Sequence, residues 1–98
     1  MAKGYWVVTY HKINNQEAFQ AYAKLAAPAI IAAGGKYLIR GAPAQVHEKG
    51  MNQRVVVSEF PSLKAAIAAH DAPGYQAALK ELKPGWGERD MRIVEGIE

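Results

Sequence analysis

Two strand-like runs in this chain are apolar on both of their faces, and 98 residues leave little to cover them. In Tyr5-Trp6-Val7-Val8-Thr9-Tyr10-His11, alternation puts Tyr5, Val7 and Thr9 on one side and Trp6, Val8 and Tyr10 on the other. Val55 and Val57 stand against Val56 and Phe60 in the same way. Runs so rich in β-branched and aromatic residues are predicted as strands. A sheet built from them needs packing on both faces.

The punctuation between these runs orders the rest. Asn14, with Glu17 three residues on, is a predicted helix cap. The helix is predicted to run to about Ala33, with Phe19, Tyr22, Ala26, Ile30 and Ala33 on one face and Gly34-Gly35 as its stop. Pro28 lies inside it and predicts a kink, because it removes a backbone donor. Lys36 to Arg40 reads as the second strand. Gly41-Ala42-Pro43 breaks or bulges it, with a resumption through Ala44-Gln45-Val46-His47 left open. A turn at Lys49-Gly50-Met51-Asn52 leads into the third strand, Gln53 to Phe60. Ser62 caps the next predicted helix, which places Leu63, Ala66, Ile67 and His70 on one face. Asp71-Ala72-Pro73-Gly74 breaks it, and Tyr75, Ala78, Leu79 and Leu82 mark a second piece. Arg89 to Ile97 is the predicted last strand.

The order is β-α-β-β-α-β, the α+β ferredoxin-like arrangement of a four-stranded antiparallel sheet with its helices on one face. Residues 1–98 are therefore expected to form a single domain. No segment is left to cover the other face. A second copy packed sheet to sheet is the simplest cover, so a homodimer is expected.

Composition excludes several functions. With no cysteine, disulfides and thiolate chemistry are ruled out. The net charge of +3 comes from 12 basic and 9 acidic residues scattered along the chain, so no nucleic-acid partner is expected. No apolar run is long enough for a bilayer, and a soluble cytoplasmic protein without membrane contact is expected. The histidines show no His-x-x-x-His spacing, so no metal site is expected. Neither a Ser-His-Asp pattern nor a Gly-rich phosphate loop can be recognised, and no cofactor is expected.

Two lone charges interrupt apolar strands. Arg40 closes Tyr37-Leu38-Ile39, and Glu59 lies between Val55-Val56-Val57-Ser58 and Phe60. A charge in a buried strand is costly unless paired or used. With a turn centred on Gly50-Met51 and no bulge, Arg40 and Glu59 share one face of the hairpin, a diagonal step apart. They then form either a structural ion pair or the polar floor of a pocket.

The runs Gly34-Gly35-Lys36-Tyr37-Leu38-Ile39-Arg40-Gly41, Arg54-Val55-Val56-Val57-Ser58-Glu59-Phe60-Pro61-Ser62, Pro73-Gly74-Tyr75-Gln76-Ala77-Ala78 and Arg92-Ile93-Val94-Glu95-Gly96 resemble a bacterial family, domain-of-unknown-function family 1330. The resemblance covers nearly the whole chain and implies a dimeric α/β barrel. It brings no established reaction. The wider superfamily includes cofactor-free monooxygenases, lactone isomerases, haem-degrading enzymes and stress-responsive barrels, with ligands between sheet and helices. The chain departs from the family at Ala42, where a second glycine is usual, at Ala69 and His70, where aromatics are usual, and at Ala72-Pro73-Gly74-Tyr75, where the family favours Ser-Pro-Glu-Tyr.

Two functional expectations follow. In the first, the protein binds a small acidic or aromatic molecule in a sheet–helix cleft, with a cofactor-free monooxygenase- or isomerase-like reaction as one outcome. Arg40 would then anchor an anion, Glu59 or His11 would move a proton, and Tyr22, Tyr37, His70 and Tyr75 would wall the ligand. In the second, the protein is a non-catalytic structural or stress-related dimer held in register by an Arg40–Glu59 pair.

Overall fold

The computed structural model describes residues 2–97. Its elements follow the predicted order: β1 (Gly4–Ile13), α1 (Gln16–Ala32), β2 (Lys36–Gly41), β3 (Val55–Phe60), α2 (Leu63–Asp71), α3 (Pro73–Leu79) and β4 (Gly87–Glu95). The strands form one antiparallel sheet in the order β2-β3-β1-β4, the ferredoxin-like topology. No helix among the described residues is long and apolar enough to cross a membrane.

Local chemistry sets the boundaries. The cap of α1 is Asn15, one residue later than predicted, and its side chain accepts from the Ala18 amide at 3.0 Å. Glu17 therefore lies in the first turn, where a carboxylate favours the helix dipole, and does not close a capping box. α1 runs unbroken from Gln16 to Ala32 through Pro28. Gly34 takes up a φ of 91°, a left-handed conformation that ends the helix. Ser62 caps α2 through the Ala65 amide at 3.0 Å. α3 begins on Ala72 with no side-chain cap, and Pro73 opens its first turn. Residues 44–47 do not resume a strand, so β2 and β3 are joined by a long loop.

The core lies between the helices and one face of the sheet. Trp6, Val8 and Tyr10 of β1 and Phe60 of β3 meet Phe19, Tyr22, Ala26 and Ile30 of α1, with Ala66, Ala69, Tyr75 and Ala78 from the other helices. The small residues bring α2 close. A Cβ on Gly4 would collide with the Ser62 carbonyl and the Ala66 methyl, so glycine is needed there. On α2 the buried positions are Ala66 and Ala69, whereas Ile67 faces solvent. Trp6 Nε1 donates to the Ala66 carbonyl at 2.8 Å, which satisfies the one polar atom of the largest core side chain. Helix α1 meets the sheet through large side chains and stands further from its backbone than α2 does. That difference opens a cavity under α1.

The opposite face is apolar at its centre, as expected. Tyr5 and Val7 lie beside Val55 and Val57 there, all only half-buried, with Ile39 and Val94 exposed further out.

The register overturns one expectation. Arg40 lies opposite Val56, and Glu59 lies opposite Lys36. The irregularity falls at Leu38, between Tyr37↔Ser58 and Ile39↔Val57, and not at Pro43. One extra residue inverts the alternation beyond it. Ile39 thus joins Val57 on the far face, and Arg40 joins Val56 on the helix face. Glu59 stays on the far face. The two charges do not share a face and form no pair.

Candidate functional site

The cavity under α1 is bounded by Trp6, Val8 and Tyr10 on β1, Val56 and Ser58 on β3, Tyr37 and Arg40 on β2, Arg89 on β4, and Phe19, Tyr22, Ala26 and Ile30 on α1. Arg54 closes it just before β3. It encloses about 60 Å³, room for a few waters, within a concavity of about 480 Å³ that runs out to solvent.

Its polar lining is one-sided. Among the described residues, three guanidinium groups reach it, from Arg40, Arg54 and Arg89, and no Asp, Glu or His lines it. Among the described residues, none of the three has a carboxylate within ion-pairing distance. Each is set against aromatic rings. Arg40 lies 4.5 Å over Tyr37, Arg54 lies 5.5 Å over Phe19, and Arg89 lies 4.9 Å over Tyr22 and 5.6 Å over Tyr10. Such contacts favour a cation without neutralising it.

Arg89 is the most constrained of the three. Its Nη1 donates to the hydroxyls of Tyr10 and Tyr22, each at 3.1 Å, and its Nη2 to the hydroxyl of Tyr75 at 3.2 Å. The Tyr22 and Tyr75 oxygens lie 2.7 Å apart. Burial works against the Arg89 charge, but the surrounding tyrosine oxygens outweigh it and keep the group firmly charged. Burial, ahead of the Arg89 charge that opposes it, raises the pKa of Tyr10 and Tyr22 above the ordinary tyrosine value. Burial likewise raises that of Tyr37. The tyrosine wall therefore stays protonated at neutral pH.

Two polar atoms on this wall have no partner among the described residues. Ser58 is 1% exposed, and its Oγ makes no hydrogen bond. The Nε of Arg54 is also buried and unpartnered. A buried donor left unsatisfied costs roughly 1–3 kcal/mol, so each such atom calls for a reason.

The structure places the sequence-predicted residues in three groups. Arg40, Tyr22 and Tyr37 line the cavity, with Arg40 exposed at its mouth. Tyr75 is 1% exposed and reaches the site only through Tyr22 and Arg89. The His70 ring packs at 5.5 Å from Tyr75 and 6.1 Å from Trp6, outside the lining, with Asp71 at 3.3 Å from its Nδ1. Glu59 lies on the far face, where Lys3 at 3.2 Å and the Tyr5 hydroxyl at 3.2 Å donate to it. Its pKa is lowered, chiefly by Lys3. His11 is on the far face too, 2.9 Å from Asp90, beside an open concavity of about 880 Å³ under the 42–54 loop. Among the described residues, no three His, Asp or Glu side chains gather as a metal site.

Sequence reasoning missed Arg54, Ser58, Arg89 and Tyr10 as site residues. Parity could have found them. Arg54 and Ser58 alternate with Val56 and Phe60, and Arg89 alternates with Met91 and Ile93, all toward the helices.

Comparison with known proteins bears out the fold. A family model described as a domain of unknown function (DUF1330) matches residues 3–97. No curated protein matches the chain. A protein of unknown function from Rhodopseudomonas palustris superposes with a TM-score of 0.72 at 16% identity, covering 99% of this chain and 84% of that one. A dimeric ferredoxin-like protein of unknown function from Thermobifida fusca gives a TM-score of 0.62 at 21% identity, covering 95% and 90%. A protein from Nitrosomonas europaea named as a candidate antibiotic biosynthesis monooxygenase gives 0.64 at 17% identity, covering 98% and 90%. At these identities the likeness concerns the fold alone.

Proposed function

Because this chain belongs to the DUF1330 family, whose description names no reaction, we propose its function from the site: it binds a small organic anion in the cleft between α1 and the sheet. One observation carries the proposal. Three arginines line one cavity with no carboxylate from the described residues among its walls. Uncompensated charges cost stability, and a bound anion would offset that cost. The unpartnered Ser58 Oγ and Arg54 Nε are donors of the kind such a ligand would satisfy. Aromatic and aliphatic walls suit an organic body.

Within this proposal Arg40 and Arg54 attract the anion, Tyr22 and Tyr37 flank it, and Tyr75 supports Tyr22. Glu59 and His11 lie too far away, on the other face, to take part. The sheet-to-sheet homodimer remains part of the proposal. Its support is the apolar centre of the far face and the description of the Thermobifida fusca relative as dimeric.

Isothermal titration calorimetry with benzoate and its neutral counterpart benzamide tests the proposal. Benzoate should bind, benzamide should not, and Arg54→Ala should weaken benzoate at least tenfold. Equal binding of the two, or of neither, would contradict it.

A further inference from the structure

The hydrogen-bond directions in the Arg89 cluster narrow the ligand further. A phenolic hydroxyl has one proton to give and two lone pairs to accept with. Tyr10, Tyr22 and Tyr75 each accept one N–H from Arg89. Tyr75 is 1% exposed and does not line the cavity, and among the described residues the only acceptor within reach of its proton is the Tyr22 oxygen at 2.7 Å. Were Tyr22 the donor, the Tyr75 proton would be stranded in the core at the full cost of an unmade hydrogen bond. Tyr75 therefore donates to Tyr22. Tyr22 then accepts twice, and its own proton is unspent. So is that of Tyr10, which donates to nothing among the described residues. Both side chains line the cavity, and both oxygens sit 3.1 Å from the same Nη1. Two unspent O–H donors thus lie close enough to converge on one ligand oxygen.

Resting on the anion-binding proposal above, we infer that Tyr10 and Tyr22, held by Arg89, form an oxyanion hole for a single oxygen, and that the ligand is an acidic phenol or enol bound as its phenolate or enolate. A neutral phenol is the weaker ligand: Ser58 Oγ could accept its proton, but it brings no charge to answer the guanidinium groups. A phenolate or enolate brings one charged oxygen that accepts from both hydroxyls, with the guanidinium charge behind them. The closed part of the cavity holds only that oxygen-bearing end, and the ring lies outward between Phe19, Tyr37 and the Arg40 and Arg54 planes. Arg89 is a positioning residue here, since it acts through the tyrosines. With no base in the lining, the ligand loses its proton to solvent before it binds.

The probe is 4-nitrophenol, whose phenolate absorbs visible light and whose neutral form does not. Titrated against pH with the wild-type protein in excess, its ionisation midpoint should fall by about one pH unit or more, a tenfold preference for the anion. Tyr10→Phe and Tyr22→Phe should each return the midpoint toward its free value. A bound nitrophenol with an unshifted or raised midpoint overturns the inference, and if benzoate still binds, the anion-binding proposal survives it. If neither probe binds, both fall. The wild-type titration needs no variant to fold, and circular dichroism of each variant separates loss of a hydroxyl from loss of structure.

Discussion

Arg40 and Glu59 face opposite sides of the sheet, Arg40 across from Val56 toward the helices and Glu59 across from Lys36 on the far side. The bulge at Leu38 separates them. Arg40 thereby lies at the mouth of a cavity with no carboxylate partner among the described residues, while Glu59 is answered by Lys3 and Tyr5. The two should therefore be energetically independent. The Tm changes of Arg40→Ala and Glu59→Ala should sum to that of the double variant. A double variant much less perturbed than the sum would restore the ion pair.

Ser58→Ala should separate stability from binding. The Ser58 hydroxyl is buried and unpartnered, so replacing it with a methyl group removes an unmet polar atom. The Tm of the variant should match or exceed that of the wild type. Its affinity for benzoate should fall about tenfold, the worth of a hydrogen bond to a charged group. Scanning calorimetry and titration of the same sample check both halves.

Tyr75→Phe should destabilise the fold without emptying the cavity of charge. It removes an acceptor from Arg89 and the donor to Tyr22, both deep in the core. The expected loss is about 1–3 kcal/mol, read from urea unfolding with an unchanged slope. A variant as stable as the wild type would show that the cluster does not lock Arg89.

The far face should set the acid limit of stability. The Asp90 carboxylate accepts from His11 and from Thr9, each at 2.9 Å, and these bonds hold its pKa below the ordinary value. Lys3 and Tyr5 do the same for Glu59. With folded values depressed, the unfolded chain binds protons first as pH falls, so this stability is present above the ordinary carboxylate range and is lost below roughly pH 4. Asp90→Asn should flatten the acid limb of a Tm–pH curve. At the alkaline end the sign reverses. The raised pKa of Tyr10, Tyr22 and Tyr37 stabilises the fold until pH climbs past the ordinary tyrosine value. Ultraviolet titration should show these tyrosines ionising late while folded and together on unfolding.

Element order was legible because it rests on short-range signals: β-branched and aromatic runs, helical spacing, the Ser62 cap and the Gly34 stop. The two-faced apolar strands also announced an uncovered sheet face. Of the site, Arg40, Tyr22 and Tyr37 were legible in the sequence, whereas Arg54, Ser58 and Arg89 escaped a reading that looked for isolated charges in apolar runs, although strand parity aims them at the helices. What failed at Arg40 was its register with Glu59, because a bulge on an edge strand needs no glycine or proline, and Leu38 carries neither mark. His11 and Glu59 drew attention as titratable groups in apolar runs, yet polar neighbours brought beside them by strand pairing account for both. Those partners, Lys3 and Asp90, are distant in sequence and reach them only through pairing.

A crystal structure of the protein grown with benzoate tests the central claim most directly. The ring should lie between α1 and the sheet, with its carboxylate within hydrogen-bonding distance of Arg54 Nε or the Arg40 guanidinium. An empty cavity, or benzoate seated beside His11 and Asp90 on the far face, would contradict the claim.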